Sequence, residues 1–273
     1  YNGVVSAGAG TNNRYNGMAS INIKQSPIGI SFSYNYNTFK NPVKGYTNRT
    51  NLSDGNVLNY FNQNNTTMFG NTMQFGRLGL DYTINNRNTV SVSQTINKGA
   101  FISYDDQLFS IYNASNDIIS KGNRVSDSKN EFMNYTTMLQ YKKTFPKTAK
   151  EWNTDVTYNL TDGHNKSIFT TESYNTNGVL YPQNPEYQKN LGSNQSSAVT
   201  FQSDYTNPLS DTSKLELGLR SNYKQARQIL DVANSFVNQD SYTSNQAQTT
   251  DYLINDLVNA AYLNYSNRFK SVN

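Results

Sequence analysis

Between Ile28 and Asn37 the chain alternates without a break. Ile28, Ile30, Phe32, Tyr34 and Tyr36 interleave with Gly29, Ser31, Ser33, Asn35 and Asn37. Successive side chains of an extended strand point to opposite faces, so a period of two gathers the hydrocarbon on one side and leaves the other polar. The stretch is therefore a strand with one face against something apolar and the other against water.

The pattern recurs along the whole chain. Ala19, Ile21 and Ile23 alternate with polar neighbours, as do Leu78, Leu80, Tyr82 and Ile84, then Val90, Val92 and Ile96. Further on come Met133, Tyr135, Leu139 and Tyr141, then Trp152, Val156, Tyr158 and Leu160. A hairpin sorts Val199, Phe201 and Tyr205, and after its turn Leu215, Leu217 and Leu219, from the polar residues between them. Ala261, Leu263 and Tyr265 mark a last strand. With the small-residue run Gly3 to Gly10, this makes about ten strands.

The connections carry as much information as the strands. Short turns at Gln25-Ser26-Pro27, Asn85 to Asn88, around Pro146, and at Asn207 to Asp211 alternate with long polar segments. Those segments run from about Thr38 to Asn71, Asn97 to Asn130, Thr161 to Ser197 and Tyr223 to Asp256. In an up-and-down sheet alternate connections lie at the same end, so the long ones gather on one side, as in an outer-membrane barrel. A β-sandwich has loops at both ends but no reason to sort them by length.

Proline fits this register. Pro27, Pro146 and Pro208 fall in short turns and Pro42, Pro182 and Pro185 in long segments, so none interrupts a proposed strand. Tyr36, Tyr82, Tyr141, Tyr158, Tyr205 and Phe269 fall near strand ends, where an aromatic girdle would sit. In the fourth long segment Ala226, Ile229, Leu230, Ala233 and Phe236 are spaced for a short helix, or belong to a strand rising beyond the membrane.

Composition separates this chain from an ordinary soluble domain. Only 35% of its 273 residues are apolar, yet 13% are aromatic, with 21 Tyr and 13 Phe. Disordered chains lack such aromatics, and Tyr serves where one end of a side chain is apolar and the other wet. No window approaches the roughly 18 apolar residues of a transmembrane helix, and mean hydropathy is −0.74. Neither observation bears against a barrel, whose strands need only about 9–11 alternating residues.

Opening on Tyr1 rather than Met is expected of a processed or partial chain. The absence of Cys excludes disulfides and thiol chemistry. The net charge of +4 is spread along the chain. Its nearest approach to a basic cluster is Lys142, Lys143, Lys147 and Lys150, which reads as a solvated turn, and no nucleic-acid partner is expected.

Five runs occur in an order and spacing that resemble a known family. They are Arg14-Tyr15-Asn16-Gly17-Met18-Ala19-Ser20-Ile21-Asn22, then Leu78-Gly79-Leu80-Asp81-Tyr82 with Asn88-Thr89-Val90-Ser91, then Phe201-Gln202-Ser203-Asp204-Tyr205-Thr206-Asn207-Pro208. Leu215-Glu216-Leu217-Gly218-Leu219-Arg220 and Ala260-Ala261-Tyr262-Leu263-Asn264-Tyr265 complete the set. Together they resemble the barrel of TonB-dependent-receptor-like outer-membrane proteins of the outer membrane β-barrel family. The resemblance implies an antiparallel up-and-down transmembrane β-barrel of about 22 strands, preceded by a regulatory domain and a plug, of which residues 1–273 are the first half. The plug and the C-terminal strands would then lie outside this segment. A sheet left open in lipid would leave unsatisfied backbone groups, so either further strands complete the wall or these close on themselves.

The alternation assigns residues to two environments. Ile30, Phe32, Leu80, Phe201, Leu217 and Leu263 are expected to face lipid, and Asp81, Asp155, Gln202, Asp204, Glu216 and Arg220 the lumen, as a polar wall or a plug contact. A charge facing lipid at the midplane costs roughly 2–4 kcal/mol for Arg or Lys, which favours that division. No catalytic constellation, metal site or cofactor is expected. His164 is the only histidine, in Asp162-Gly163-His164-Asn165, and Asp105-Asp106 matches no calcium-loop spacing, so both read as solvated polar groups.

The expected function is that of an outer-membrane receptor or transporter barrel for a large solute, with short turns periplasmic and long loops extracellular. A structural barrel subunit of a secretion or surface complex, and a soluble β-rich adhesin, are the alternatives. The expected partners are outer-membrane lipid, the chain's own plug and remaining strands, a TonB-type energy transducer and other outer-membrane subunits.

Overall fold

Asp54 and Gly55 both take positive φ, 50° and 82°, and reverse the chain between two strands of 26 and 30 residues. Two such residues make the tight turn whose twist matches a β-hairpin, and Asp-Gly is a preferred pair for it. The computed structural model describes residues 1–146 and 149–268. Its strands are β1 (Asn2–Gly10), β2 (Arg14–Gln25), β3 (Ile28–Ser53), β4 (Asn56–Asn85), β5 (Asn88–Asn113), β6 (Ile118–Thr144), β7 (Glu151–Tyr174), β8 (Glu186–Pro208), β9 (Ser213–Ser235), β10 (Thr243–Ser244) and β11 (Thr250–Asn267). Each pairs antiparallel with the next from β1 to β9, and β10 and β11 both pair with β9. The result is an all-β, up-and-down sheet of eleven strands among the described residues, with β1 and β11 as its open edges.

All four of the long polar segments are mostly strand rather than loop. The connections at that end shrink to residues 54–55, 114–117, 175–185 and 236–249, the last holding β10. The sequence missed these extensions for a physical reason. Above the apolar stretch both faces of each strand meet water, so Asn, Ser, Thr and Gln occupy both and the period of two disappears from the hydropathy. The helical spacing of Ala226 to Phe236 has the same resolution, since β9 runs extended through Ser235.

The register fixes two faces across the wall. Ile30 pairs with Ile23 and Leu80, Leu80 with Val92, Val92 with Leu139, and Leu139 with Val156. Val156 continues to Phe201, while Leu217 of β9 joins Tyr205 to Leu263. Directly paired residues share a face, so these form one continuous apolar surface.

That surface is uncovered. Ile30 is 42%, Phe32 43% and Leu80 47% exposed, while Val232 is the buried hydrophobic residue of the described chain. A water-soluble domain buries its apolar faces against a second layer. Here there is a single layer, and the apolar face needs a solvent of its own.

The band is bounded in height. On the same face the first charges met above the apolar stretch are Lys40, Lys98, Glu131, Asp162 and Arg227, each at a similar distance along its strand. The apolar stretch below them is about 9–11 residues long, the length a tilted strand needs to cross a bilayer. At about 3.3 Å per residue, strands of 26 and 30 residues then extend far past an apolar band about 25 Å tall.

Candidate functional site

On the polar face, β7, β8, β9 and β11 stack three rungs of hydrogen-bonding side chains. The first carries Asp155, Gln202 and Arg220, which are directly paired. The second carries Asn153, Asp204, Gly218 and Tyr262, and the third Glu151, Thr206, Glu216 and Asn264. Asp204 is the hub. It accepts from Gln202 Nε2 at 2.8 Å and from the Tyr262 hydroxyl at 2.8 Å.

Glu216 accepts from Asn264 Nδ2 at 2.9 Å and pairs with Lys214 at 2.6 Å. Lys142 and Glu151 close the same side of the wall at 2.9 Å. Gly218 is required at the centre. A Cβ there would collide with the Tyr262 ring and meet Asp204 Oδ1 at 2.6 Å, so only a hydrogen lets the ring cross the strand.

Five of the six polar residues singled out in the sequence thus share one patch, while Asp81 stands apart on β4, opposite Gly29 and Ser91. Lys214 rather than Arg220 is the ionic partner of Glu216, because Arg220 lies two rungs away. Tyr262, Asn264 and Lys214 were not legible as members. Alternation places them on this face, and Lys214 stands two residues from Glu216 on β9 itself, but only the pairing of β11 with β9 brings Tyr262 to Asp204 and Asn264 to Glu216. The six apolar candidates, Ile30, Phe32, Leu80, Phe201, Leu217 and Leu263, all lie on the opposite face.

Higher on the polar face runs a line of phenylalanines. Phe39, Phe69, Phe101 and Phe132 follow one another across β3, β4, β5 and β6 with ring centroids 6.0, 6.1 and 6.0 Å apart. The last two steps are stacked, with interplanar angles of 23°. Phe132 lies over Gly99, where a Cβ would strike its ring. Above this line Phe61 stacks on Phe109, and Arg49 caps Phe61 at 5.0 Å. The ring faces are spent on one another, so the line acts as a cross-strand tie holding the extensions together.

At the short-turn end the apolar face carries aromatics. Tyr141 and Trp152 meet edge to face at 5.9 Å, and Trp152 Nε1 donates to Ser203 Oγ at 2.8 Å. Phe145 meets Tyr205 at 6.3 Å, and Lys150 lies 4.9 Å from the Phe145 centroid and 5.7 Å from that of Tyr205. Lys143 covers the other approach to Phe145 at 5.2 Å. Rings backed by cations suit the level where hydrocarbon gives way to headgroups. Lys147 of the basic cluster and Phe269 of the girdle lie outside the described residues.

The isolated polar candidates remain local. His164 sits on the charged part of the apolar-side face, 3.4 Å from Asp162. Asp105 accepts from Thr67 Oγ1 at 2.6 Å and from Gln107, while Asp106, as its neighbour in a strand, points to the other face. On the upper part of β9, Arg227 makes two contacts to Asp251, Nε to Oδ1 at 3.1 Å and Nη2 to Oδ2 at 2.8 Å. These hydrogen bonds hold the Asp251 carboxyl below its ordinary range.

A single-layer antiparallel wall, apolar over a bilayer's height on one face and hydrogen-bonded on the other, belongs to the class of membrane β-barrel walls. Residues 143–273, covering the end of β6 through β11, match the outer membrane protein beta-barrel family. This match supports an outer-membrane barrel and an outer-membrane location. The Phe201, Leu215 and Ala260 runs lie inside the matched range, and the Arg14 and Leu78 runs before it. No curated protein and no solved structure matches the chain.

Proposed function

We propose that this chain is part of the wall of a receptor or transporter barrel in the outer membrane, taking up a large solute through a plugged lumen and drawing energy from a TonB-type transducer. One observation carries the reading. The face opposite the apolar band is a built polar surface, with Asp155, Gln202, Asp204, Glu216, Arg220 and Tyr262 on adjoining rungs. Closed by further strands, that surface lines an interior, and Asp81 lines it from β4. A charged lining suits a polar solute or the loops of a plug.

In this reading the short turns face the periplasm, and the strand extensions with their tips stand outside the cell. Ile30, Phe32, Leu80, Phe201, Leu217 and Leu263 contact lipid, and the wall carries no catalytic step. The test is the intact polypeptide. An upstream plug domain, together with loss of uptake of a solute on deletion, supports the reading, whereas a polypeptide without a plug overturns the TonB coupling. A structural barrel of a secretion or surface complex is the second reading. It is favoured if the protein purifies with stoichiometric partners and deletion leaves uptake intact. Retention in the aqueous phase on detergent partitioning would displace both in favour of a soluble adhesin.

A further inference from the structure

The wall has a step in its edge. β1 and β2 form a short hairpin, 9 and 12 residues long, whose tip at residues 11–13 reaches only as far as Lys40 of β3, the Lys40 amide donating to the Asn12 carbonyl at 2.9 Å. β3 continues for another turnless stretch to Ser53, paired with β4 alone. A strand beyond β1 would be separated from β3 by the hairpin, so it could not pair with β3 above Lys40.

The direction of the free groups follows from the pairing. The Thr83 amide donates to Pro27, across from β4 to β3, so odd-numbered residues of β3 turn their amides and carbonyls to β4. Even-numbered ones turn theirs the other way, as Lys40 does toward Asn12. Above Lys40 this leaves Pro42, Lys44, Tyr46, Asn48 and Thr50 facing the open edge. Pro42 has no amide hydrogen, and it stands where a strand can do without one. From Lys44 to Thr50 the row of donors and acceptors is complete, about 23 Å of edge at roughly 3.3 Å per residue.

We propose that this edge receives an extended, acidic segment of a separate protein, which adds a strand beside β3 between Lys44 and Thr50. Main-chain bonds to the even-numbered residues would hold it in register. Charge selects the partner. Residues 38–53 contain Lys40, Lys44 and Arg49 and no carboxylate, and Arg14 stands at the hairpin below. Tyr46, 78% exposed, offers a ring beside the edge. Pro42 and the lysines guard the edge against indiscriminate pairing, since a proline ends the donor row and lysines repel basic or apolar strands. Anionic lipid could engage Lys40 and Lys44 but would leave the carbonyls of the row without donors. The inference does not rest on the transport reading, because uptake and edge binding are measured separately.

The probe is a fluorescent, end-capped octapeptide of alternating Glu and Val, titrated by anisotropy against the whole protein in zwitterionic lipid vesicles. Saturable, salt-sensitive binding is expected, weakened at least tenfold by Tyr46→Pro and by the pair Lys40→Glu and Lys44→Glu. A peptide of alternating Lys and Val should not bind. Tyr46→Pro deletes an amide that points away from β4 and so spares the β3–β4 ladder. Pro42→Ala, which adds a donor to the row, should tighten binding several-fold and serves as a second variant should the first fail to fold. No saturable binding, or binding indifferent to both Tyr46→Pro and Pro42→Ala, overturns the proposal. So does a result in which the lysine reversals change only adsorption of vesicles containing anionic lipid.

Discussion

Tyr262 of β11 reaches across β9 to donate to Asp204 of β8, 2.8 Å away, passing over the bare backbone of Gly218. One side chain thereby ties three strands on the polar face. Gly218→Val would drive a branched side chain into the ring, at a cost of roughly 1–3 kcal/mol for overpacking. Tyr262→Phe keeps the ring and loses the hydroxyl, which costs about 1 kcal/mol. Equilibrium urea unfolding in lipid vesicles should rank Gly218→Val as the more damaging. Equal effects would mean that the ring does not cross Gly218.

The phenylalanine line predicts a local effect. Phe101 has a ring neighbour on each side, Phe69 at 6.1 Å and Phe132 at 6.0 Å. Phe101→Ala removes both pairs, each worth about 0.5–1.5 kcal/mol beyond area burial. Hydrogen exchange in β4, β5 and β6 should accelerate above the apolar band and stay unchanged within it. Uniform acceleration along the strands would contradict a tie confined to the extensions.

Face assignment can be tested with neighbouring residues of one strand. Phe32→Arg places a charge on the apolar band and should cost roughly 2–4 kcal/mol in a bilayer. Ser31→Arg, one position away, points to the polar face and should cost far less. Comparing their unfolding midpoints in vesicles checks the assignment, and similar losses would sink it.

The Arg227–Asp251 pair sits above the apolar band, where pH acts through water. Arg227 lowers the Asp251 carboxyl from its ordinary value. A carboxyl lowered by folding stabilises the folded state above its unfolded pKa, and loses that contribution as pH falls through the folded one. Amide exchange at the top of β11 should therefore speed up as the solution is acidified into that acid range, and Asp251→Asn should abolish the dependence. The effect should shrink at high salt, because the pair is exposed.

The alternation of Ile28 to Asn37, and of each strand after it, fixed the faces in advance. That is why Ile30, Leu80, Phe201 and Leu263 were separable from Asp155, Asp204 and Glu216 by inspection. The short turns at one end and the family resemblance of the later strands were equally local signals, and the match over residues 143–273 supports the outer-membrane barrel they point to. Asn56 to Asn71 is strand of the same kind as Leu78 to Ile84, yet with water on both faces nothing in its polarity distinguishes one side from the other.

What a strand does to its own side chains is a property of its backbone, and a sequence determines it residue by residue. Which side chains meet across strands depends on register, set by turn geometry and by pairing summed over the whole wall. Only the tertiary structure could put Tyr262 on Asp204, bring Asn264 to Glu216, and line up Phe39, Phe69, Phe101 and Phe132 from four separate strands. The open step above Lys40 has the same origin, because it arises from the unequal heights of β2 and β3 and from no residue taken alone.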